Sequence, residues 1–268
     1  MKRRHSRHNA QPKITKVRSG IPSFDQIING GIPLGTIFLI EESSNEVVPT
    51  FVKAFLGEGA VSNDLLLSYS EADLNSEIPD IRRIGNTSIK SDFTVRYETF
   101  AKNSKVQEPY VIDLGTIKSD YQGFIQRTLN CTDEDFYHKL WVQVKNDLKF
   151  RYDQRTEDTI SRVLIRSVFS DNWPQNSLSE IFEFFKAVKT LLRSKNAVLM
   201  ITVPVVKLQD KLRDIVFQNS DLIVLNNIFG GGQNLKISIY KAPKSANVEE
   251  NSVFTVAQSL GATIVRAL

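Results

Sequence analysis

Residues 39–51 read LIEESSNEVVPTF. They stand between a turn-rich approach, GGIPLGT at 30–36, and an apolar helical pattern that ends near GEG at 57–59. A strand, a short turn and a helix in that order form the setting of a phosphate-gripping loop, GxxxxGK[ST], in which each position has a physical job. The glycines let backbone N–H groups approach phosphate oxygens. The lysine neutralises the β and γ charges, the Ser/Thr hydroxyl holds magnesium, and the helix N-terminus adds its positive field. This turn carries neither glycine nor lysine. The setting for nucleotide chemistry is present and its ligands are missing.

The elements that would position such a loop alternate along the chain. Thr36–Glu41 reads as a buried strand, Val48–Leu56 as a helix and Leu65–Tyr69 as a second apolar strand. Between 71 and 150 the pattern is weaker, with strand-like FTVRYETF (93–100) and PYVIDLG (109–115) and a helix-like stretch at Asp133–Val144. Alternation then resumes with a strand at 162–169, RVLIRSVF, and a helix at 177–195. That helix has Leu178, Ile181, Phe182, Phe185, Val188 and Leu192 on one stripe, and Phe184 and Phe185 also read as core. Ser177 and Glu180 have capping-box spacing at its start. A strand at 197–203, a helix at 208–217 and a strand at 221–226 follow. A hairpin-like pair closes the chain, 235–241 and 252–258, with GGGQN at 230–234 as its turn. The pattern predicts an α/β sandwich with a mainly parallel sheet covered on both faces and a late antiparallel extension at one edge. No internal repeat is present.

Composition narrows the function classes. Of 268 residues 41% are hydrophobic and 24% charged, ordinary values for a soluble globular protein. The longest apolar run, AVLMITVPVV at 197–206, is too short to span a bilayer and contains a proline, so no membrane segment is expected. No apolar stretch follows the basic start, so it does not read as a secretory signal. The single cysteine, Cys131, allows no internal disulfide, fits a reducing compartment and removes thiolate zinc sites, leaving only three histidines for metal. The net charge of +4 hides an asymmetry. Residues 1–18 hold seven Lys/Arg and no acid, so the rest of the chain has 27 basic and 30 acidic side chains. Residues 1–18 read as a basic, disordered tail, either merely solubilising or an arm for RNA phosphates or nuclear targeting.

The approach SGIPSFDQIINGGIPLGTIFLI (19–40) resembles the opening of RecA/KaiC-type ATPase domains, and AFLGEG (54–59) matches their usual ending. The resemblance implies a RecA-like three-layer α/β/α sandwich over 19–268 as a single domain, with 71–160 its variable region. It lays the phosphate loop on Glu42 to Pro49. The first glycine becomes Glu42, the last Val47, the lysine Val48 and the Ser/Thr Pro49, with Asn45 inside the degenerate turn. A glutamate beside phosphate opposes binding: like charges ~4 Å apart cost on the order of 4 kcal/mol at an effective dielectric near 20. The acid that organises magnesium at the end of a later strand falls, in VLIRSV (163–168), on Arg166. A cation there repels the metal. Arg166 reads either as a contact to a neighbouring subunit or as a plain strand-end charge.

A RecA-like domain with LIEE in place of a phosphate loop resembles the PAXNEB family, the fourth subunits of the Elongator complex. FTVRY (93–97), PYVIDL (109–114), RVLIRSVFSDNW (162–173), FFKAVKTLLRSKNAVLMITVP (184–204), DLIVLNNIFG (221–230) and FTV (254–256) fit that family in order. Set beside that family the chain reads as short, without the long N-terminal extension and extra loops often seen there, and its match at 109–114 lacks the histidine.

The resemblance implies a non-catalytic scaffold in a hexameric RecA-like ring with Elongator subunits 5 and 6. That ring serves the catalytic Elongator subcomplex and binds tRNA for wobble-uridine modification, in the cytoplasm and with the nucleus open. It implies no cofactor bound by this chain alone and leaves ATP at ring interfaces open. The competing readings are an active KaiC-like ATPase and a RecA-like DNA recombinase paralogue. Pore-facing loops would be Ser170–Ser177 and Val205–Lys211. Asn172 and Trp173 in the first could reach or stack on a base, and Lys207, Lys211 and Arg213 could pair with phosphates. The plainer reading is solvated loop charges, with Trp173 as core or interface filler.

Overall fold

The computed structural model describes residues 15–42, 47–71, 79–83, 110–117, 121, 123–133, 135–152, 159–174, 177–226, 235–246, 248–259 and 262–267. A two-stranded ribbon, β1 (Lys16–Val17) with β2 (Ile32–Pro33), flanks helix α1 (Pro22–Ile27). Then come β3 (Ile37–Glu41), α2 (Val47–Val61), β4 (Leu65–Ser70), β5 (Pro79–Arg83), β6 (Tyr110–Ile117), β7 (Phe124–Thr128) and α3 (Phe136–Tyr152). The last part runs β8 (Ser161–Ile165), α4 (Leu178–Ser194), β9 (Ala197–Val203), a 3₁₀ turn at Val205–Lys207, α5 (Asp210–Asn219), β10 (Leu222–Asn226), β11 (Leu235–Lys241), β12 (Ser252–Ser259) and β13 (Ala262–Ala267).

Nine strands form one sheet in the order β13-β12-β11-β10-β3-β9-β8-β4-β7. From β10 to β7 every pairing is parallel, and β11, β12 and β13 extend the sheet antiparallel. β5 and β6 pair separately. Why the central strands are parallel is visible in β9, AVLMITV, where every residue is buried. A strand covered on both faces reads as a continuous apolar run. Along β3 the alternation divides the core: Ile37 and Leu39 join the cluster under α3, α4 and α5, whereas Phe38 and Ile40 join that under α1 and α2. The result is the expected α/β/α sandwich with its antiparallel extension.

Several boundaries differ from the sequence expectation. The strand expected over 162–169 ends at Ile165, because Ser167 and Phe169 turn the backbone into the left-handed region (φ 51° and 66°). α3 ends at Tyr152 rather than 144, and α5 is shifted to 210–219. On α4 the buried set is Ile181, Phe184, Phe185, Val188 and Leu192. Leu178 is exposed and Phe182 half-buried under the Lys186 ammonium, so the stripe is rotated from the one expected. Ser177 caps α4, its hydroxyl accepting the Glu180 N–H. GGGQN falls between β10 and β11, and FTVRYETF at 93–100; both lie outside the described residues, as do residues 1–14. No described helix is long and apolar enough to cross a membrane.

Candidate functional site

The C-terminal ends of parallel strands leave their connections and helix N-termini around a crevice, the usual ligand position in open α/β sheets. Here that crevice is a cleft of about 410 Å³. Glu42 enters it from the end of β3, Ser70 and Glu71 from β4, Arg166 and Ser167 from β8, and Pro204 and Lys207 from β9.

Glu42 lines the cleft and is bonded to two neighbouring strand ends. Its amide donates to the Val203 carbonyl (2.7 Å), and its Oε1 accepts from the Ser167 hydroxyl (2.9 Å) and the Thr202 hydroxyl. Thr202 Oγ1 in turn accepts the Ser167 amide (2.9 Å), and the Val168 amide donates to the Thr202 carbonyl (2.8 Å). One carboxylate therefore ties the ends of β3, β8 and β9 together. Left-handed backbone at a non-glycine residue costs on the order of 1–2 kcal/mol, and these bonds hold Ser167 there. A second carboxylate repeats the arrangement: Glu71 accepts from the Ser170 hydroxyl and from the Asn172 amide (2.7 Å). Beside them the Glu41 carboxylate accepts the Asn226 N–H (2.7 Å); burial holds its pKa above the ordinary value while that bond opposes the shift. Cys131 is half-buried, and burial with the Glu71 charge pushes its thiol up to about 11, so it is no ready nucleophile.

Of the positions laid on the phosphate loop, Glu42 lines the cleft, whereas Val47 and Val48 do not. α2 begins at Val47, and Val47 and Val48 are buried with Phe24, Phe38 and Phe51 in the core beneath α2. Their side chains serve packing. Pro49 is the third residue of α2, inside the turn whose amides have no helical partner, so its missing N–H costs little there. Asn45 lies outside the described residues. Arg166 lines the cleft, its amide bonded to the Tyr69 carbonyl (2.9 Å). Among the described residues no group of three His, Cys, Asp or Glu is placed to hold a metal ion.

Of the nucleic-acid candidates, the structure brings Asn172 and Lys207 into the cleft and leaves Lys211 and Arg213 on α5, away from its lining. Asn172 is engaged by Glu71, Lys207 pairs with Asp171 (2.8 Å), and Arg213 pairs with Asp210 one turn away (2.7 Å). Trp173 is corrected. It is 4% exposed and packs with Phe136, Tyr137 and Phe169, which removes it as a stacking platform and makes it core. Sequence reasoning placed Ser170 in a pore-facing loop but missed Glu71, Ser167 and Thr202. Glu71 carried a signal, a charge immediately after an apolar strand; the hydroxyls carried none.

A mainly parallel sheet covered on both faces, with a cleft at its carboxyl edge, is the architecture of doubly wound α/β folds, and the fold neighbour is KaiC-like. A KaiC-like protein from the archaeon Pyrococcus horikoshii OT3 superposes with a TM-score of 0.56 at 16% identity, covering 94% of this chain and 99% of that one. Within that class the chain belongs to the PAXNEB protein family, which it matches over residues 3–107 and 86–229. It is similar to Elongator complex protein 4 of Dictyostelium discoideum (24% identity over 271 residues, 80% of this chain and 61% of that one). Similarity to the Xenopus laevis protein of that name is 26% over 294 residues (89% and 71%), and to the Homo sapiens one 25% over 284 residues (84% and 66%). The chain thus spans from 61% to 71% of the length of these three relatives.

Proposed function

We propose that this chain is a non-catalytic scaffold subunit of Elongator, built into an accessory hexameric ring with RecA-like subunits 5 and 6. In that ring it supports the tRNA binding that wobble-uridine modification by the catalytic subcomplex requires. The observation that carries this reading is Glu42, in a chain of the PAXNEB family. Its carboxylate is held within the cleft by Ser167 and Thr202, the hydroxyls that an anionic ligand would otherwise engage. A second negative charge brought there meets repulsion and finds those donors taken. The chain by itself then holds no nucleotide, and ATP would be handled only at contacts between subunits. The cytoplasm is the proposed place of work, with the basic residues 1–18 as a route to the nucleus.

Native mass spectrometry of the protein purified with its cellular partners tests the ring. Two other RecA-like subunits in a roughly 2:2:2 assembly are expected, and a lone monomer would sink the proposal. The KaiC-like fold favours one second reading, an ATPase. Calorimetry separates the two: micromolar Mg–ATP affinity for the isolated chain establishes that reading and removes the scaffold one. Binding of tRNA and single-stranded DNA compared over a salt series checks the ligand, and a preference for DNA counts against Elongator.

A further inference from the structure

Away from the cleft, helices α3 and α4 enclose a groove of about 490 Å³. Its walls are aromatic and its rim is acidic. Tyr137 and Phe184 are almost fully buried, with ring centroids 5.6 Å apart, and Trp141 is half-buried beside them. Asp135, Glu180 and Glu183 supply three carboxylates, and among the described lining residues there is no Lys or Arg. Glu183 reaches Lys186 only at 3.6 Å, between two exposed side chains, a pair worth little in water. The Trp141 ring already attracts cations, since Lys145 Nζ lies 4.7 Å from its centroid. Carboxylates around an indole face suit a guanidinium or ammonium, which stacks on the ring and donates to the acids at once.

The chain carries a segment of that chemistry. Residues 1–14 contain Lys2, Arg3, Arg4, Arg7 and Lys13 and no acid. Reach permits the contact. Thr15 is bonded to Leu34, and the adjacent Gly35 lies against Arg193 near the end of α4. From Arg193 back to Glu183 is ten residues of helix, about 15 Å, while fourteen extended residues span about 46 Å. We infer that the groove between α3 and α4 receives the basic segment 1–14 of this same chain. The docked segment is withheld from phosphate ligands, so groove and nucleic acid compete for it. This inference does not depend on ring assembly.

Acrylamide quenching of tryptophan fluorescence in the full chain tests it. There are two tryptophans, Trp141 in the groove and Trp173 in the core, and Trp141→Phe assigns the accessible signal. Replacing Lys2, Arg3, Arg4 and Arg7 by glutamine is expected to weaken the docking equilibrium about two- to fivefold, the factor for losing exposed ion pairs, and so to raise quenching of Trp141. Asp135→Asn with Glu183→Gln should do the same, and combining the two sets should add nothing more. An unchanged Trp141 in the first variant, or effects of the two sets that simply multiply, would overturn the inference. Protection that disappears on dilution would assign the groove to a second copy and equally overturn it. So would a first variant that loses tRNA affinity while Trp141 stays as protected as before.

Discussion

Two arginines bracket strand β8, one within it and one just beyond it, and they have opposite fates. Arg162, its second residue, is 1% exposed, with its Nε 2.6 Å from the Asp64 carboxylate and Nη1 on the carbonyls of Arg18 (2.7 Å) and Phe55 (3.2 Å). The Phe55 ring lies 5.0 Å away, and a Cβ on Gly59 would come within 2.6 Å of Arg162 Cδ, so only glycine leaves room for it. Nearby, Arg18 pairs with the buried Glu58 at 2.7 Å, and Asp25 accepts the Ser19 amide on both oxygens. Arg166, just beyond the other end, is half-buried and faces an open cleft of mixed charge. Residue type is the same at both places. Enclosure decides the role: at one end a buried ion pair is part of the core, at the other the side chain lines a cleft that solvent reaches.

Breaking the buried end should have the largest effect. Arg162→Met leaves Asp64 buried without its partner and is expected to cost about 3–5 kcal/mol in urea unfolding, whereas Arg166→Met should cost less than about 1 kcal/mol. Equal costs would erase the contrast. The same buried region sets a pH dependence. Burial raises the Asp25 carboxyl from 3.8 to about 7, opposed by the Ser19 N–H bonds and reinforced by the Glu58 charge. Between those values the folded chain keeps a proton that the unfolded chain has lost. This contribution is complete below about pH 4 and lost as pH rises through about 7, on the order of 4 kcal/mol. Asp25→Asn should flatten that slope in chemical denaturation measured from pH 4 to 8, and a slope identical to the parent chain's would refute the assignment.

Smaller effects sharpen the cleft side. Val48→Lys puts a lysine, at the position where the resemblance lays that of a phosphate loop, into a site buried among phenylalanines, and should destabilise by about 3 kcal/mol without micromolar Mg–ATP binding in a calorimeter. A stable variant that bound nucleotide would mean that the loop lost its chemistry by side chain alone. Ser177→Ala removes the cap of α4 and should lower stability by about 1 kcal/mol, leaving Mg–ATP binding unaltered; thermal unfolding reads the first and calorimetry the second.

The parallel strands and the long helix were legible because a buried strand or an amphipathic helix writes its environment into local periodicity, as β9 and α4 do. β7 and β13 went unseen for the opposite reason. FIQRT is at most half-buried at the sheet edge, and β13 follows β12 after two residues, so neither has a distinctive run of its own. Glu42 and Arg166 could be singled out from the sequence, and both line the cleft, but their surroundings could not be read there. Trp173 read as a loop aromatic for stacking or, more plainly, as core or interface filler, until its neighbours were seen.

Local pattern by itself therefore determined a doubly covered α/β sheet and a strand–turn–helix junction without phosphate ligands. Tertiary structure decided which groups meet. Glu42 is joined to Ser167 across 125 positions and to Thr202 across 160, and Arg162 to Asp64 across 98. Periodicity reports only whether a residue faces core or solvent, whereas a hydrogen-bond partner is chosen by the order in which strands lie side by side.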